Sequence, residues 1–363
     1  MDDTTSKRSP AESAGNKLGP TENFLDVILS FDIEEHHRIE SAAKLPKSPE
    51  MQAYYDQRLQ PSTEWLLERL EELQIKATFF VVGQVACTHP QLVRRIAQGG
   101  HEVASHSWDH RRLHSHTPTS FRKDLYVCRD ALEQASGQPV VGYRAPTFSI
   151  IAQHAWAIDV LADEGYLYDS SIFPVRHDRY GVPKAPRAPF LVSGHSREIL
   201  EIPPATMRLW RWNLPAGGGG YFRLFPLAVL RRALRQIRAT CSPSVAMLYF
   251  HPWEFDPDQL RMPLGRVNSF RTYVGIGKSR ARLLELIADQ RFARAVDVVK
   301  NLQSKRATLP RFALAPRGST LVKITHKDGD SQPVGLTTWE ASSTVELTAT
   351  AATEFGVAGV KRP

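Results

Sequence analysis

Short apolar runs alternate along the middle of this chain with stretches in which apolar residues return every three or four positions. DVILSFD, ATFFVVG, HEVASH, VVGYRAP, YLYDSS and SVAMLYFH have the length and composition of buried strands. Between them lie helical patterns. Leu66, Leu70 and Leu73 form one stripe, a second helix starts at Pro90 and stops at Gly99-Gly100, and Phe121, Leu125, Cys128 and Leu132 form a stripe ended by Gly137. Further helices are expected from Ala155 to Glu164, from Pro226 onward, and near Lys278 to Gln290, with ARAVDVV as a last strand. Strand alternating with helix predicts about six or seven parallel strands joined by crossover helices.

The polar residues that close these strands choose between two architectures. Asp32, His106, Arg144, Asp169 and His251 each stand at the C-terminal end of an expected strand. In a barrel those ends converge on one mouth, whereas an open doubly wound sheet spreads them along an edge. The expected fold is therefore α/β, a (β/α) barrel with fewer than eight strands. Its span is 23–303, with a disordered N-terminal tail over 1–22 and a low-complexity C-terminal tail over 304–363 that has room for a small β appendage.

Charge and cysteine content narrow the classes. The chain of 363 residues has a formal net charge of +8, but no nucleic-acid motif accompanies the excess, so no nucleic-acid partner is expected. Part of the excess is Arg231, Arg232, Arg235 and Arg238, opposite an apolar stripe of Leu227, Leu230, Leu234 and Ile237. That is an amphipathic surface helix, with a basic face resting on the anionic inner face of a membrane, or holding an acidic glycan, as the sharper alternative. No secretory signal pattern or run of about 18 apolar residues is present, which leads to a cytoplasmic expectation. Cys87, Cys128 and Cys241 are too few and too scattered for a disulfide framework.

Two local patterns carry metal chemistry. His106 and His110, four residues apart in HSWDH, can meet one ion from a single turn, and Asp32 and Glu34 point the same way at the end of a strand. Taken alone, either pattern also suits exposed loop or strand-end groups. His36, His37, His114 and His116 read as loop residues, and Gly217 to Gly220 as a turn admitting close backbone approach rather than a phosphate loop.

The segments SFDIEEH, SHSWDH, GYRAPTF, YDSSIFP and LYFHPWEFD occur in an order and spacing that resembles the polysaccharide deacetylase family, metal-dependent carbohydrate esterases. GGGGYFRLFP and NSFRTYVGIGKSRARLLELI resemble, within it, the exosortase-associated polysaccharide deacetylases of bacterial exopolysaccharide clusters. The resemblance implies a divalent ion, zinc, held by His106, His110 and a carboxylate. The family's commonest pattern has two adjacent aspartates where this chain has Asp32-Ile33-Glu34-Glu35, so Glu34 is the expected ligand and Glu35 the alternative.

It further implies Asp32 as general base, Arg144 as its ionic partner, the Thr147 backbone N–H as oxyanion donor, His251 as general acid and Asp169 as the group orienting that imidazole. Trp108, Trp253 and Tyr221 are the expected sugar-stacking residues. The implied reaction removes acetyl groups from N-acetylhexosamine units of an exopolysaccharide or a lipid-linked precursor. A metal-dependent amide hydrolase on a non-sugar substrate and a non-catalytic glycan-binding relic are the alternatives.

Overall fold

A computed structural model describes residues 25–314 except Asp178, Arg179 and Asp289. The expected tail 1–22 and most of 304–363, with its suggested β appendage, lie outside the described residues. Among the described residues there are twelve strands: β1 (Asp26–Ile33), β2 (Thr78–Val81), β3 (Glu102–Ser105), β4 (Gly142–Tyr143), β5 (Tyr168–Asp169), β6 (Phe190–Ser193), β7 (Glu198–Glu201), β8 (Thr206–Leu209), β9 (Trp212–Pro215), β10 (Val245–Phe250), β11 (Phe292–Ala293) and β12 (Arg311–Ala313). The main sheet runs β10-β1-β2-β3-β4-β5-β7-β6-β12, with β11 also on β1. Its first seven strands are mutually parallel, and the sheet curls into a half-barrel. Isolated bridges from Pro204 to Met247 and from Gly218 to Tyr249 tie the segment after β7 back to β10. A Cβ on Gly218 would lie 1.7 Å from the Tyr249 carbonyl oxygen, so this approach requires glycine.

The helices form where their apolar spacing fits a 3.6-residue turn. Phe121, Leu125, Cys128 and Leu132 are buried on the helix Pro118–Ser136, which ends at Gly137 in the left-handed region with φ 70°. Leu227, Leu230, Leu234 and Ile237 are likewise the buried face of Leu227–Thr240. One expected strand is a helix. Only Phe292–Ala293 pairs with β1, and Ala295–Gln303 is helical, because Ala295, Val298, Val299 and Leu302 fall on one buried face. The sheet also extends past residue 303, since β12 pairs with β6. The hairpin β6–β7 and the separate ribbon β8–β9 are elements the apolar pattern did not mark.

Candidate active site

Register places the chemistry. Phe31 of β1 pairs with Phe250 of β10, so Asp32 and His251 emerge side by side. Ser105 of β3 pairs with Tyr143 of β4, so His106 and Arg144 do the same. The side chains of Asp32, His106 and His251 thus face one cleft of about 650 Å³, lined also by Glu34, His110, Thr147, Tyr221, Tyr249 and Trp253, while Arg144 is wholly buried.

Glu34, His106 and His110 offer one ligand atom each, all within 4.8 Å of one another. Glu34 Oε2 is buried, has no hydrogen-bond partner, and stands 2.5 Å from His110 Nε2. His106 Nδ1 lies 2.8 Å from the Arg144 carbonyl oxygen, which can only accept, so the proton sits there and Nε2 turns to the cleft as a lone pair. Burial pushes the His106 imidazolium down to about 4, so the ring is neutral as a ligand must be. Burial would raise the Glu34 carboxyl, but His110, His251 and His106 outweigh it and hold the group far below the ordinary carboxylate range. Two imidazoles and one hard carboxylate form the donor set of a divalent ion such as zinc, with positions left open. Glu35 is engaged elsewhere, at 2.5 and 2.9 Å from Arg38.

The loop that delivers His110 bends sharply, with Ser107 and His110 at φ 67° and 63°. Asp124 pins it by accepting from Ser107 Oγ at 3.3 Å and from the Trp108 N–H at 3.1 Å. Trp108 does not reach the cleft; it packs on the core above Gly83, where a Cβ would come within 2.6 Å of the indole. Of the three expected sugar-stacking residues, only Trp253 and Tyr221 line the cleft. His36, in the short turn His36–Arg38, is buried and stacks on Trp253 at 4.3 Å.

Asp32 accepts from Arg144 Nη1 at 2.6 Å, and the same guanidinium donates to Ser30 Oγ at 3.0 Å and Ser170 Oγ at 3.1 Å. Arg144 is wholly buried over the Phe80 ring at 3.9 Å, so an uncompensated Asp32 would be costly there. Thr147, in the neighbouring turn, has φ 57°, a conformation rare for a β-branched residue, and lies on the cleft wall.

The expected partner of His251 is corrected. Its Nδ1 lies 2.8 Å from Glu254 Oε1, and its Nε2 faces Asp32 Oδ2 at 3.8 Å and Glu34 Oε1 at 3.6 Å. Asp169 instead accepts from Ser171 Oγ and faces Glu201. The reason is local: the turn Pro252–Phe255 brings Glu254 back under the imidazole, where Glu254 Oε1 also accepts the His251 N–H at 3.1 Å. Arg223 Nε holds the other carboxylate oxygen at 2.8 Å. Burial would lower the His251 pKa, but Glu254, then Glu34 and Asp32, raise it to about 9. The sequence reading missed Glu254 and Arg223; the available signal was the three-residue spacing of HPWE.

Comparison with known proteins agrees with this construction. Residues 46–166 match the model for polysaccharide deacetylase, and residues 170–300 match a domain of unknown function, DUF3473. The chain is 30% identical over 106 residues to the peptidoglycan-N-acetylglucosamine deacetylase PgdA of Listeria monocytogenes serotype 1/2a (strain 10403S), covering 27% of this chain and 23% of that protein. It is 31% identical over 97 residues to a chitooligosaccharide deacetylase of Bradyrhizobium sp. (strain ANU 289), covering 27% and 42%. The chain thus spans less than half the length of these relatives. The crystal structure of a Mycobacterium smegmatis protein named as a polysaccharide deacetylase superposes with TM-score 0.53 at 23% identity, over 86% of this chain and 100% of that one, which establishes the shared fold. With the deacetylase model on the segment that holds both histidines of the metal cluster and the exosortase-associated domain completing the cleft behind it, the chain belongs to the polysaccharide deacetylase family.

Proposed function

We propose that this protein is a metal-dependent N-deacetylase that hydrolyses acetyl groups from N-acetylhexosamine units of a bacterial exopolysaccharide or its lipid-linked precursor, releasing acetate and leaving a free amine. The observation that carries this reading is the buried Glu34–His106–His110 cluster flanked on the cleft floor by a carboxylate locked to arginine and by an imidazole locked to glutamate. Glu34, His106 and His110 would hold a divalent ion, which when bound would supply Lewis acidity toward an acetamide carbonyl and a water made more acidic.

The chain's own groups do the rest. Asp32, held and aimed by the Arg144 guanidinium, accepts the proton of the attacking water. The Thr147 N–H faces the tetrahedral oxyanion as a donor, a contribution of about 3 kcal/mol in other hydrolases. His251, kept cationic by Glu254, donates its proton to the departing nitrogen as the carbon–nitrogen bond breaks. Trp253 and Tyr221 give the sugar ring apolar faces on the cleft wall. The test is acetate release from N-acetylglucosamine oligomers and from exopolysaccharide, with and without a chelator. Release without the chelator that is lost in its presence supports the reading; release that survives complete metal removal overturns it.

A further inference from the structure

Charge is distributed very unevenly along this chain. From Ile202 to Trp253 there are seven arginines and no acidic residue, and from Gln259 to Leu284 five arginines and one lysine, again with no acid. Exposed large hydrophobic residues concentrate in the same region: of the eleven among the described residues, eight lie between Leu209 and Phe270. Leu224 and Phe270 stand on the cleft wall beside Arg271, and Phe225 stacks with Tyr221 of the same wall. At another part of the wall Arg176 lies 4.7 Å over Trp212, which pairs with Leu209 across the ribbon β8–β9.

The tip of that ribbon is the least economical feature of the molecule. Trp210 follows Leu209 at φ 55°, the first position of a two-residue turn where glycine is favoured, and its side chain is 92% exposed. An indole held in a strained backbone and turned to water stabilises nothing within the described structure. Among the described residues Arg208, Arg211, Arg266 and Arg271 are in no ion pair, so they hold their charge available beside these apolar groups.

We propose that the rim of the cleft is a docking surface for an anionic phospholipid bilayer, with the β8–β9 tip inserted at the headgroup level. Cations beside tryptophan and phenylalanine are the composition of an interfacial membrane contact. An acidic polysaccharide would satisfy the arginines and stack on the indoles, but it gives the exposed Leu209 and Leu224 nothing to pack against. The bilayer accounts for both sets. No described helix is long and apolar enough to cross a membrane, so the contact is peripheral. The cleft mouth then faces the bilayer, within reach of a glycan held there.

The test is co-sedimentation of the full chain with vesicles of phosphatidylcholine alone and of phosphatidylcholine mixed with phosphatidylglycerol, at low and high salt. Binding is expected only to the mixed vesicles, weakening with salt, and falling about fivefold for each of Arg208→Ser and Arg211→Ser. Trp210→Gly suits the turn, so it is expected to fold with unchanged or higher Tm while losing most vesicle binding. Loss of binding with a lowered Tm is resolved by Leu209→Ser, which leaves the turn residue in place. Absence of binding to the mixed vesicles overturns the proposal. So does binding that Trp210→Gly and Leu209→Ser both leave intact, or retention by a polyuronate column without vesicle binding, which would assign the face to an acidic glycan.

Discussion

Asp32 and Asp169 close parallel strands of one sheet, both are buried, and they have opposite electrostatic fates. Asp32 meets the Arg144 guanidinium and faces His251, so its charge is answered by cations. Asp169 meets Glu201: burial raises the Asp169 pKa to about 6 although the hydrogen bond from Glu201 lowers it, and burial together with the Asp169 charge pushes Glu201 well above the usual range. A strand-end acid is therefore not a site by position. The sign of what surrounds it decides whether it works as a base or as a protonated structural link. Glu201 Oε1 accepts the Ile172 N–H at 2.9 Å, and Ser171, bonded to Asp169, accepts the Ala145 N–H at 2.7 Å. The acid pair thus braces the segment that leads to Thr147.

Removing the metal cluster from the first region has the largest expected effect. His106→Ala should abolish bound zinc and acetate release together, checked by metal content beside rate, while the Asp169 region and the fold persist. Asp32→Asn should retain metal and lose about a hundredfold to ten-thousandfold in kcat. An unchanged rate would make Asp32 as structural as Asp169. Glu254→Gln should slow turnover about tenfold, a part of what proton transfer supplies, with kcat falling more than KM and metal content unchanged. The same loss from Asp169→Asn would instead restore Asp169 as the orienting acid.

The smallest effect tests the second region by pH. Because the folded pKa values of Asp169 and Glu201 are raised, the native state holds protons that the unfolded chain has released. Stability is full below the unfolded carboxyl values near 4 and declines as pH rises through about 6. Glu201→Gln keeps a hydrogen-bonding group without the second charge, so its Tm should fall less than that of the native protein between pH 5 and pH 8, by a few degrees. Parallel Tm profiles would show that the pair carries no shared proton.

Much of this was legible in the residues themselves. Apolar periodicity located β1, β2, β3 and β10 and the helices packed on them, because long buried segments leave a strong pattern. It failed at Ala295–Gln303, where an apolar run short enough for a strand is wound into a helix, and at β6 to β9, short strands that, unlike β2 and β3, include half-buried or exposed positions. Strand-end position pointed to Asp32, Glu34, His106, Arg144 and His251, at or next to the ends of β1, β3, β4 and β10, and the four-residue spacing from His106 pointed to His110.

The amino-acid order determined which groups could reach the cleft, since alternation along a strand and in-register pairing of neighbours leave little freedom there. It could not determine which of them touch. Glu34 rather than Glu35 gathers with His106 and His110 because Arg38 captures the other carboxylate, and Glu254 rather than Asp169 meets His251 because one tight turn folds beneath the ring. Partner choice between residues distant in the chain follows from packing, which local propensity does not encode; only the folded arrangement assigns each buried charge its counter-charge.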